Sequence, residues 1–510
     1  MSVRLSGDPF TVGQVVAVAR DAEKVELADG VAARMAPARR LVEETAARGD
    51  VVYGITTGFG ALANVRIEPA AVQELQRAIV RSHAAGTGDE MPAEVVRGMM
   101  LLRARTLAAG HAGVRPLLVE RIVELLNRGI VPVVPAHGSV GASGDLAPLA
   151  HCALALLGEG DVRLNGSRVP AADALRDAGL EPVTLEAKEG LALVNGTEGM
   201  LAMACLAIHD LERGLKTADV ACAMSVEALL ATDRPFAEEI HALRPHPGQL
   251  ASAENLRRLT AGSKVIESHR TTAHAVQDAY SLRCAPQVHG ACRDALAYAR
   301  EVAERELASE VDNPVVLHES GAVESAGNFH GEPLAFALDM IAIAASEVAS
   351  ISERRTDRML DPAHSNGLPA FLAPEAGVNS GFMLAQYTQA ALVAESKRLA
   401  VPASVDSIPT SGTTEDHVSM GWDAGRKALK AVSNAEAVVA IEALVGAQGL
   451  DLRSPLAPSP AASAVREVIR SRVPVMLSDR YLAPDIEAVR ELAHKGALAD
   501  AAETTVGGLR

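Results

Sequence analysis

The chain is poor in aromatic residues, in basic charge and in cysteine, and each shortage argues against a class of protein. Phe, Tyr and Trp make up only 3% of its 510 residues, with a single tryptophan, whereas 48% of the residues are apolar. The core must therefore be aliphatic and rich in alanine, which suits closely packed helices. The formal net charge is −16 and no basic stripe is visible, so we expect no nucleic-acid or membrane partner.

Cysteine and long apolar runs are also scarce, which bears on the compartment. The five cysteines form no close-spaced pattern that would hold a metal: Cys152, Cys205, Cys222, Cys284 and Cys292. Several lie in apolar helical surroundings, where a buried, reduced thiol is expected. The N-terminus carries no signal-peptide stretch, and the most apolar internal runs are too short for a membrane span or contain Asp339. We therefore expect a soluble cytoplasmic protein, and no metal in its site.

Long stretches with helical apolar spacing occupy most of the second half of the chain. The predicted helices cover 196–232, 289–310, 333–357, 382–400 and 418–448. In 333–357 the apolar positions alternate steps of four and three residues, which is the spacing of a stripe that faces a helical bundle. Since a helix of about thirty residues is about 45 Å long, several of them in parallel would form a rod-like core.

The region before residue 196 mixes shorter elements. Residues 1–50 are predicted to form short helices, and Val51–Gly60, with three glycines among β-branched residues, is predicted to be a short strand that runs into a mobile loop. Asn165-Gly166 predicts a hairpin over 161–170. The predicted fold is mainly α: a mixed α/β N-terminal region over 1–195, a central long-helix bundle over 196–455, and a C-terminal tail with one more helix over 456–510.

The segment from Gly138 to His151 carries the most specific chemistry in the chain. It contains Ala142-Ser143-Gly144 in the string Gly-Ser-Val-Gly-Ala-Ser-Gly-Asp-Leu-Ala-Pro-Leu-Ala-His. Because Gly144 has no Cβ, its nitrogen can approach the Ala142 carbonyl closely enough to attack it. Ring closure and loss of two water molecules would leave an imidazolone with an exocyclic methylene made from Ser143, which is a strong electrophile. The plainer interpretation of the same residues is a turn followed by a helix cap.

The whole string resembles the signature of the aromatic amino-acid ammonia-lyases. Members of that family build a 4-methylidene-imidazol-5-one (MIO) group from the tripeptide, which implies that Ala142, Ser143 and Gly144 form it autocatalytically here. Removing ammonia from an amino acid also needs a base for the β-proton, a cation for the carboxylate and polar groups for the side chain.

Upstream strings match the family's base and polar groups. Tyr53, in Tyr-Gly-x-x-Thr-Gly-Phe-Gly, is implied to be the catalytic base on a mobile loop. His83 follows Ser82 and is implied to face a substrate imidazole, because members that act on phenylalanine or tyrosine carry a pair there that ends in an apolar residue. Asn195 is implied to contact both the MIO group and the substrate.

Downstream strings supply the remaining site residues. Within the matching stretch that begins at Gln277, itself implied to bind substrate, Arg283 is the implied bidentate clamp for the carboxylate and Tyr280 lies beside the electrophile. Phe329, in Gly-Asn-Phe-His-Gly-Glu-Pro, is implied to shield the methylene. Glu415, in Glu-Asp-His-Val-Ser-Met, would suit the imidazole or amine of histidine.

The resemblance is strongest to family members that act on histidine. It implies non-oxidative elimination of ammonia from L-histidine to give trans-urocanate, the first step of histidine degradation, by a homotetramer whose active sites are shared between subunits. The alternative is a tyrosine or phenylalanine ammonia-lyase or aminomutase with the same group, but a phenyl ring would leave His83 and Glu415 unpaired in a closed pocket. The chain departs from the family at Thr413-Thr414, where Asn-Gln or Met-Gln is usual, and at Glu198, where many members carry glutamine.

Each matched residue has an ordinary role when it is taken alone. His83 at a helix end could be a charge partner of the helix dipole, and Glu415 with Asp416 could be an acidic helix N-terminus. Arg283 could be a surface arginine in an ion pair. The case for a site therefore rests on the matched strings occurring together and in one order.

Two other classes of protein compete with a lyase. A non-catalytic helical scaffold would keep Ser143 intact, so its mass would equal that of the encoded sequence. A metal hydrolase needs a closely spaced histidine pair with a carboxylate, and the nearest candidates, His241 and His246, lie in a proline-rich segment that is typical of a loop.

Overall fold

The computed structural model describes residues 2–62, 64–271 and 276–510, and most of them are helical. The helices are α1 Val12–Ala19, α2 Val31–Arg48, α3 Val72–His83, α4 Ala93–Ala109, α5 Pro116–Arg128, α6 Leu146–Leu156, α7 Ala171–Asp177, α8 Glu189–Val194, α9 Glu198–Ala228, α10 Glu238–His241, α11 Pro247–Leu259, α12 Lys264–Glu267, α13 Tyr280–Arg283, α14 Ala285–Leu307, α15 Glu332–Leu360, α16 Met383–Leu399, α17 Gly421–Leu452, α18 Pro460–Arg470, α19 Ala483–His494 and α20 Ala497–Val506. The mainly α class predicted from the sequence is confirmed.

Short strands accompany the helices. They are β1 Ser2–Leu5, β2 Lys24–Leu27, β3 Thr87–Glu90, β4 Val131–Pro132, β5 Pro135–His137, β6 Asp161–Leu164, β7 Ser167–Pro170, β8 Val315–Leu317 and β9 Ala322–Glu324. β1 and β2 pair in parallel, whereas β3–β5, β4–β6–β7 and β8–β9 are antiparallel. The predicted hairpin over 161–170 is confirmed, with Asn165 and Gly166 at its turn in the left-handed conformation that such a turn needs.

The long helices were the most predictable elements. Each predicted end lies within four residues of the observed end for α9, α14, α15, α16 and α17. Three local predictions are wrong. Residues 1–50 contain the β1–β2 pair as well as helices, 51–60 contains turns and an isolated bridge instead of a strand, and the C-terminal tail contains three helices instead of one.

The chain forms two compact units, each assembled from three segments. The first unit comprises the described residues up to Leu206, together with Arg300–Asp339 and Pro402–Arg426. The second comprises Ala207–Ala299, Met340–Val401 and Lys427–Arg510, within the described ranges. The division at 195 and 455 that was predicted along the chain is a different partition and stays a prediction.

Helix α4 lies at the centre of the first unit. All of its residues from Val95 to Ala109 are buried, including three arginines. Arg97 donates to the Val18 carbonyl at the end of α1 at 2.8 Å, and Arg105 donates to the Asp8 carbonyl at 3.3 Å. These buried guanidinium groups satisfy carbonyls at the ends of neighbouring segments, so α4 joins those segments through its charges as well as its apolar surface.

A network of buried charges lies in the core of the second unit. Asp219 accepts hydrogen bonds from Ser252 at 2.7 Å, Asn255 at 2.9 Å, His289 at 2.7 Å and Arg293 at 2.5 Å. Burial alone would raise the pKa of Asp219, but Arg293 and His289 outweigh burial and hold that pKa below its usual value. The carboxylate is thus charged and fully compensated.

A second buried ion pair belongs to the same unit. Arg355 and Glu442 are both fully buried and are joined at 2.5 Å. The hydroxyl groups of Ser225 and Ser352 each donate to Glu442 at 2.6 Å. Arg355 also donates to the Ser281 carbonyl at 3.3 Å, so this pair supports α13.

One helix in the described part of the chain, α15, is long and apolar enough to cross a membrane by length and composition. Of its most apolar window, 72% is buried inside the protein, which is a property of core helices as well.

Candidate active site

Ala142, Ser143 and Gly144 lie in the turn between β5 and α6, where there is no room for larger side chains. Ala142 and Gly144 are buried and Ser143 is half-buried. Gly144 has a φ of +73°, and a Cβ at this position would lie 2.0 Å from the Gly196 carbonyl oxygen. Both its conformation and its surroundings therefore require glycine.

Hydrogen bonds fix the backbone on both sides of the tripeptide. The Ser139 hydroxyl accepts from the Gly141 amide at 3.1 Å and donates to the Gly144 carbonyl at 3.3 Å. Ser419 donates to the Gly141 carbonyl at 3.0 Å. Among the described residues, none forms a hydrogen bond with the amide nitrogen of Gly144. This nitrogen, which would attack in the ring closure, is left unengaged within a fixed turn.

Asp145 joins the tripeptide to the start of α9. Its carboxylate is fully buried and accepts hydrogen bonds from the amides of Gly199 at 2.8 Å and Met200 at 2.9 Å. Burial raises the pKa of Asp145 to about 7, against the effect of these hydrogen bonds, and the Glu198 carboxylate adds to the rise. The sequence suggested a cap for the helix that follows Asp145, but its side chain makes no cap bond to α6 and caps α9 instead.

Asn195 lies beside the tripeptide with one buried polar atom unused. Its Nδ2 donates to the Asn313 carbonyl at 2.8 Å, whereas its buried Oδ1 has no hydrogen-bond partner among the described residues. Arg103 donates from Nη1 to the Asn195 carbonyl at 3.2 Å and to Glu198 at 2.7 Å. Glu198, which departs from the family pattern, is therefore part of a buried ion pair, and its charge is compensated.

Glu415 meets Ser143 although the two residues are 272 positions apart in the sequence. The Ser143 hydroxyl donates to Glu415 Oε1 at 3.0 Å. The other oxygen, Oε2, accepts a hydrogen bond from the Thr410 hydroxyl at 2.5 Å. Thr410 and Glu415 also form an isolated antiparallel bridge, so backbone and side chain together fix this carboxylate.

His83 is half-buried at the C-terminal end of α3, where burial disfavours the charged form of its imidazole. The Ser82 hydroxyl lies 3.1 Å from its Nδ1. Burial lowers the pKa of His83, and this effect outweighs the Ile79 carbonyl and the nearby Glu415 carboxylate, which raise it. Since burial disfavours a charged ring, a hydrogen-bonding role fits His83 better than the role of a charge partner for the helix dipole.

The Tyr53 segment packs against the turn that leads to Glu415. The Tyr53 hydroxyl accepts from the Gly60 amide at 3.2 Å, and its ring meets Phe59 edge-on at 6.4 Å between centroids. A Cβ at Gly60, whose φ is +52°, would lie 2.5 Å from the Ser411 hydroxyl. The left-handed backbone of Gly60 therefore favours glycine, whereas the Ser411 hydroxyl could rotate away from an added Cβ.

A buried aliphatic contact also supports the segment that contains Tyr53. Ile55, two residues after Tyr53, is fully buried against Ala38 and Val42 of α2 and Val316 of β8. Burying an isoleucine contributes about 1.5–3 kcal/mol, which fixes the turn that presents the phenol.

Phe329 lies in the turn between β9 and α15 and is half-buried. The His330 amide donates to the Gly327 carbonyl at 3.0 Å, which closes this turn. The Gly331 amide donates to the Gly141 carbonyl at 3.4 Å, so the turn lies against the segment that enters the tripeptide.

Gln277, Tyr280 and Arg283 belong to the second unit. Tyr280 begins α13 and is 71% exposed, and the Arg283 guanidinium stacks on its ring at 4.7 Å from the centroid. The buried Nε of Arg283 has no hydrogen-bond partner among the described residues. Gln277 is exposed.

The other predicted site residues all belong to the first unit, where sequence reasoning missed three supporting residues. Asp145 caps α9, Arg103 binds the Asn195 carbonyl, and Thr410 holds the Glu415 carboxylate. Asp145 and Thr410 stand next to or near matched strings, but no local pattern says which distant group each one contacts. The one feature of the sequence that could have indicated a role for Arg103 is its charge within an apolar helix.

A family model described as aromatic amino acid lyase matches residues 10–471. This match covers most of the sequence, and the chain belongs to the aromatic amino acid lyase family. It is 54% identical over 501 residues to a protein named histidine ammonia-lyase from Streptomyces avermitilis, with 98% of both chains covered. A protein of the same name from Gloeobacter violaceus is 52% identical over 505 residues, with 99% of this chain and 98% of that one covered.

Solved structures share the whole fold. The crystal structure of histidine ammonia-lyase from Trypanosoma cruzi matches with a TM-score of 0.92 at 41% identity, covering 99% of this chain and 96% of that one. The tyrosine aminomutase from Streptomyces globisporus matches with a TM-score of 0.94 at 37% identity, with both chains fully covered. The fold is thus common to enzymes with different named substrates, and specificity must be argued from the site.

Proposed function

We propose that this chain is an ammonia-lyase that eliminates ammonia from L-histidine to give trans-urocanate. The observation that carries the proposal is the meeting of Glu415 with Ser143 at 3.0 Å, near the half-buried His83, whose pKa is lowered by burial. A carboxylate and an imidazole at one site can hydrogen-bond the ring and amine of histidine, but a phenyl or phenol ring would leave at least one of them unpaired. The relatives named histidine ammonia-lyase support the same substrate.

The residues present fit an MIO group formed from Ala142, Ser143 and Gly144. Gly144 has no space for a side chain, and its amide nitrogen is unengaged among the described residues. When formed, the group supplies an electrophilic carbon that makes the substrate amine a better leaving group. Asn195 and the backbone around Gly141 would hold it.

The side chains of the first unit bind and orient the substrate and move protons. The oxygen of Tyr53, in its deprotonated form, takes the proton from the substrate β-carbon and becomes a neutral phenol. Glu415, whose Oε2 is already fixed by Thr410, accepts a hydrogen bond from the amine or imidazole through Oε1. His83 hydrogen-bonds the substrate ring, and the ring of Phe329 excludes water from the reacting carbon.

Three residues of the second unit complete the proposed set. Arg283 has a planar fork of donors and a buried Nε with no hydrogen-bond partner within the described ranges, and it binds the substrate carboxylate in a bidentate manner. Tyr280 lies under the guanidinium and orients it. The resemblance to the family is what supports a contact between Tyr280 and the reacting centre. Gln277 hydrogen-bonds the substrate.

We further propose that the enzyme is a cytoplasmic homotetramer in which each active site collects residues from more than one subunit. A core with few aromatic residues and long alanine-rich helices favours such close association of helices. The resemblance to the family is what supports the number of subunits.

The test of the substrate compares turnover of L-histidine, L-tyrosine and L-phenylalanine by the purified full-length protein, followed by ultraviolet absorbance of each product. We expect kcat/KM for L-histidine to exceed the others by at least about a hundredfold, because the pocket's polar groups are unpaired with the other rings. Equal or greater turnover of L-tyrosine would favour the tyrosine enzyme instead.

The test of the prosthetic group is the intact mass. The protein is expected to weigh less than the encoded sequence by two water molecules, and the matched variant Ser143→Ala, which has no hydroxyl to lose, is expected to lack the methylene and the activity. An active protein with the full encoded mass would overturn the mechanism.

A further inference from the structure

Two histidines outside the proposed set of active-site residues lie side by side in the first unit. His111 follows the end of α4, and His318 lies in the turn between β8 and β9. Their rings are stacked with centroids 5.5 Å apart and an angle of 19° between the planes. One potential ligand atom from each of His111, His318 and Glu319 lies within 4.8 Å of the other two.

The spacing of two of these ligand atoms already fits a metal. The distance from His318 Nε2 to Glu319 Oε1 is 3.3 Å. In a tetrahedral site with bonds of about 2.0–2.1 Å, neighbouring ligand atoms lie about 3.3–3.4 Å apart. The ligand atom of His111 lies within 4.8 Å of both of these atoms.

The carboxylate of Glu310, which lies outside this triad, orients His111 for metal binding. His111 Nδ1 lies 2.5 Å from Glu310 Oε2. This contact favours the proton on Nδ1 and so leaves the lone pair on Nε2, which no hydrogen bond engages within the described part of the chain. Histidines that bind metals characteristically donate their second ring nitrogen to a carboxylate in this way.

Charge and access also suit a divalent cation. The carboxylates of Glu310 and Glu319 together would balance two positive charges, while both imidazoles bind as neutral ligands. The side chains of His111 and His318 are 30% and 23% exposed, and that of Glu319 is 69% exposed, so an ion can enter from solvent and keep a water in its fourth position.

We propose that His111, His318 and Glu319 bind a zinc ion, with Glu310 orienting His111. Two nitrogen ligands and one carboxylate favour zinc over magnesium or calcium, which prefer oxygen ligands alone. The ion joins the residue after α4 to the β8–β9 turn, where the Val316 amide already donates to the His111 carbonyl at 2.9 Å. Val316 packs against Ile55, two residues from Tyr53, so the ion has a structural role.

A second cluster of similar composition lacks this preparation. His330, Glu332 and His417 also approach one another within 4.8 Å. His330 Nε2, however, lies 3.1 Å from the His417 carbonyl, and His330 Nδ1 accepts from the Glu332 amide at 3.4 Å. Both ring nitrogens are occupied by the backbone, so this cluster serves as the control.

The experiment titrates the chelator-treated, full-length protein with Zn²⁺ by calorimetry and with Co²⁺ by absorption. We expect one equivalent of Zn²⁺ per chain, a Tm that rises with Zn²⁺ concentration, and visible Co²⁺ bands of tetrahedral nitrogen and oxygen coordination. A thiolate-to-cobalt charge-transfer band would place the ion on a cysteine and overturn the proposal, as would the absence of binding.

Variants locate the ion. His318→Gln is expected to weaken Zn²⁺ binding at least tenfold and to abolish the rise in Tm. Glu310→Gln, which removes the carboxylate at the second nitrogen of His111, is expected to weaken binding about 10–100-fold. His417→Gln should leave binding unchanged. Unchanged binding in His318→Gln, or loss of binding in His417→Gln, would contradict the assignment.

Discussion

Replacing Gly144 by alanine tests whether the tripeptide turn requires glycine for space as well as for conformation. The added Cβ would lie 2.0 Å from the Gly196 carbonyl oxygen, a backbone atom that cannot rotate away. The chain offers a matched control in Gly129, after α5, which has a φ of +67° and nothing within 4 Å of the position that a Cβ would take. In both variants an alanine must adopt a left-handed backbone, but only Gly144→Ala also places its Cβ against another backbone atom.

The magnitudes follow from these two environments. A non-glycine residue in the left-handed region costs about 1–2 kcal/mol, so Gly129→Ala should lower the free energy of unfolding by about that amount. The smaller entropy of the unfolded alanine chain is common to both variants and cancels in their difference. A forced backbone shift in a packed region adds about 1–3 kcal/mol, so Gly144→Ala should lose about 2–5 kcal/mol.

The assay is urea unfolding of both variants at one pH, with intact mass measured on the same samples. We expect Gly144→Ala to unfold at the lower urea concentration and to keep the full encoded mass, because the displaced backbone cannot bring the amide nitrogen to the Ala142 carbonyl. Gly129→Ala should keep the deficit of two water molecules that we expect in the parent protein. Equal destabilisation of the two variants, together with a loss of two water molecules in Gly144→Ala, would refute the reasoning.

Three further changes test the electrostatics. Glu415→Gln is expected to lower kcat/KM for L-histidine by about 10²–10⁴-fold, checked by urocanate absorbance, with an unchanged circular dichroism spectrum. Asp145 has a pKa of about 7 in the folded protein against 3.8 for an ordinary aspartate, so the folded state binds a proton that the unfolded state has released between these pH values. The parent protein should therefore lose stability as the pH rises from 3.8 to about 7. Urea midpoints measured across that range should lack this component in Asp145→Asn. Arg355→Met leaves the buried Glu442 without its cation and should lower the free energy of unfolding in urea by about 3–5 kcal/mol. An Arg355→Met/Glu442→Leu double variant that is no more stable than the single variant would contradict this account.

Local sequence patterns predicted the elements whose stability is local. The apolar steps within 333–357 located α15, and the hairpin over 161–170 followed from Asn165-Gly166, because a two-residue turn with left-handed backbone depends only on its own residues. The candidate site residues could be named for a different reason, which is the resemblance of their strings to a family.

The wrong predictions concern elements that depend on distant partners. β1 and β2 are four residues each and pair in parallel across an intervening helix, so neither has a local signal strong enough to exceed the helical pattern around it. Val51–Gly60 has the β-branched composition of a strand, but among the described residues its pairing is limited to the isolated bridge between Thr57 and Arg66. Ile55 is buried against α2 instead, and the segment forms turns.

The amino-acid sequence by itself determined the helical class, the ends of the long helices and a tripeptide small enough to close on itself, because these depend on residues that are close along the chain. The tertiary structure alone decided that Glu415 meets Ser143, that Asp145 caps α9 rather than its own helix, and that Arg103 compensates Glu198. The physical reason is that burial and pairing of charge depend on which distant groups share a low-dielectric interior, and no spacing in the sequence encodes that directly.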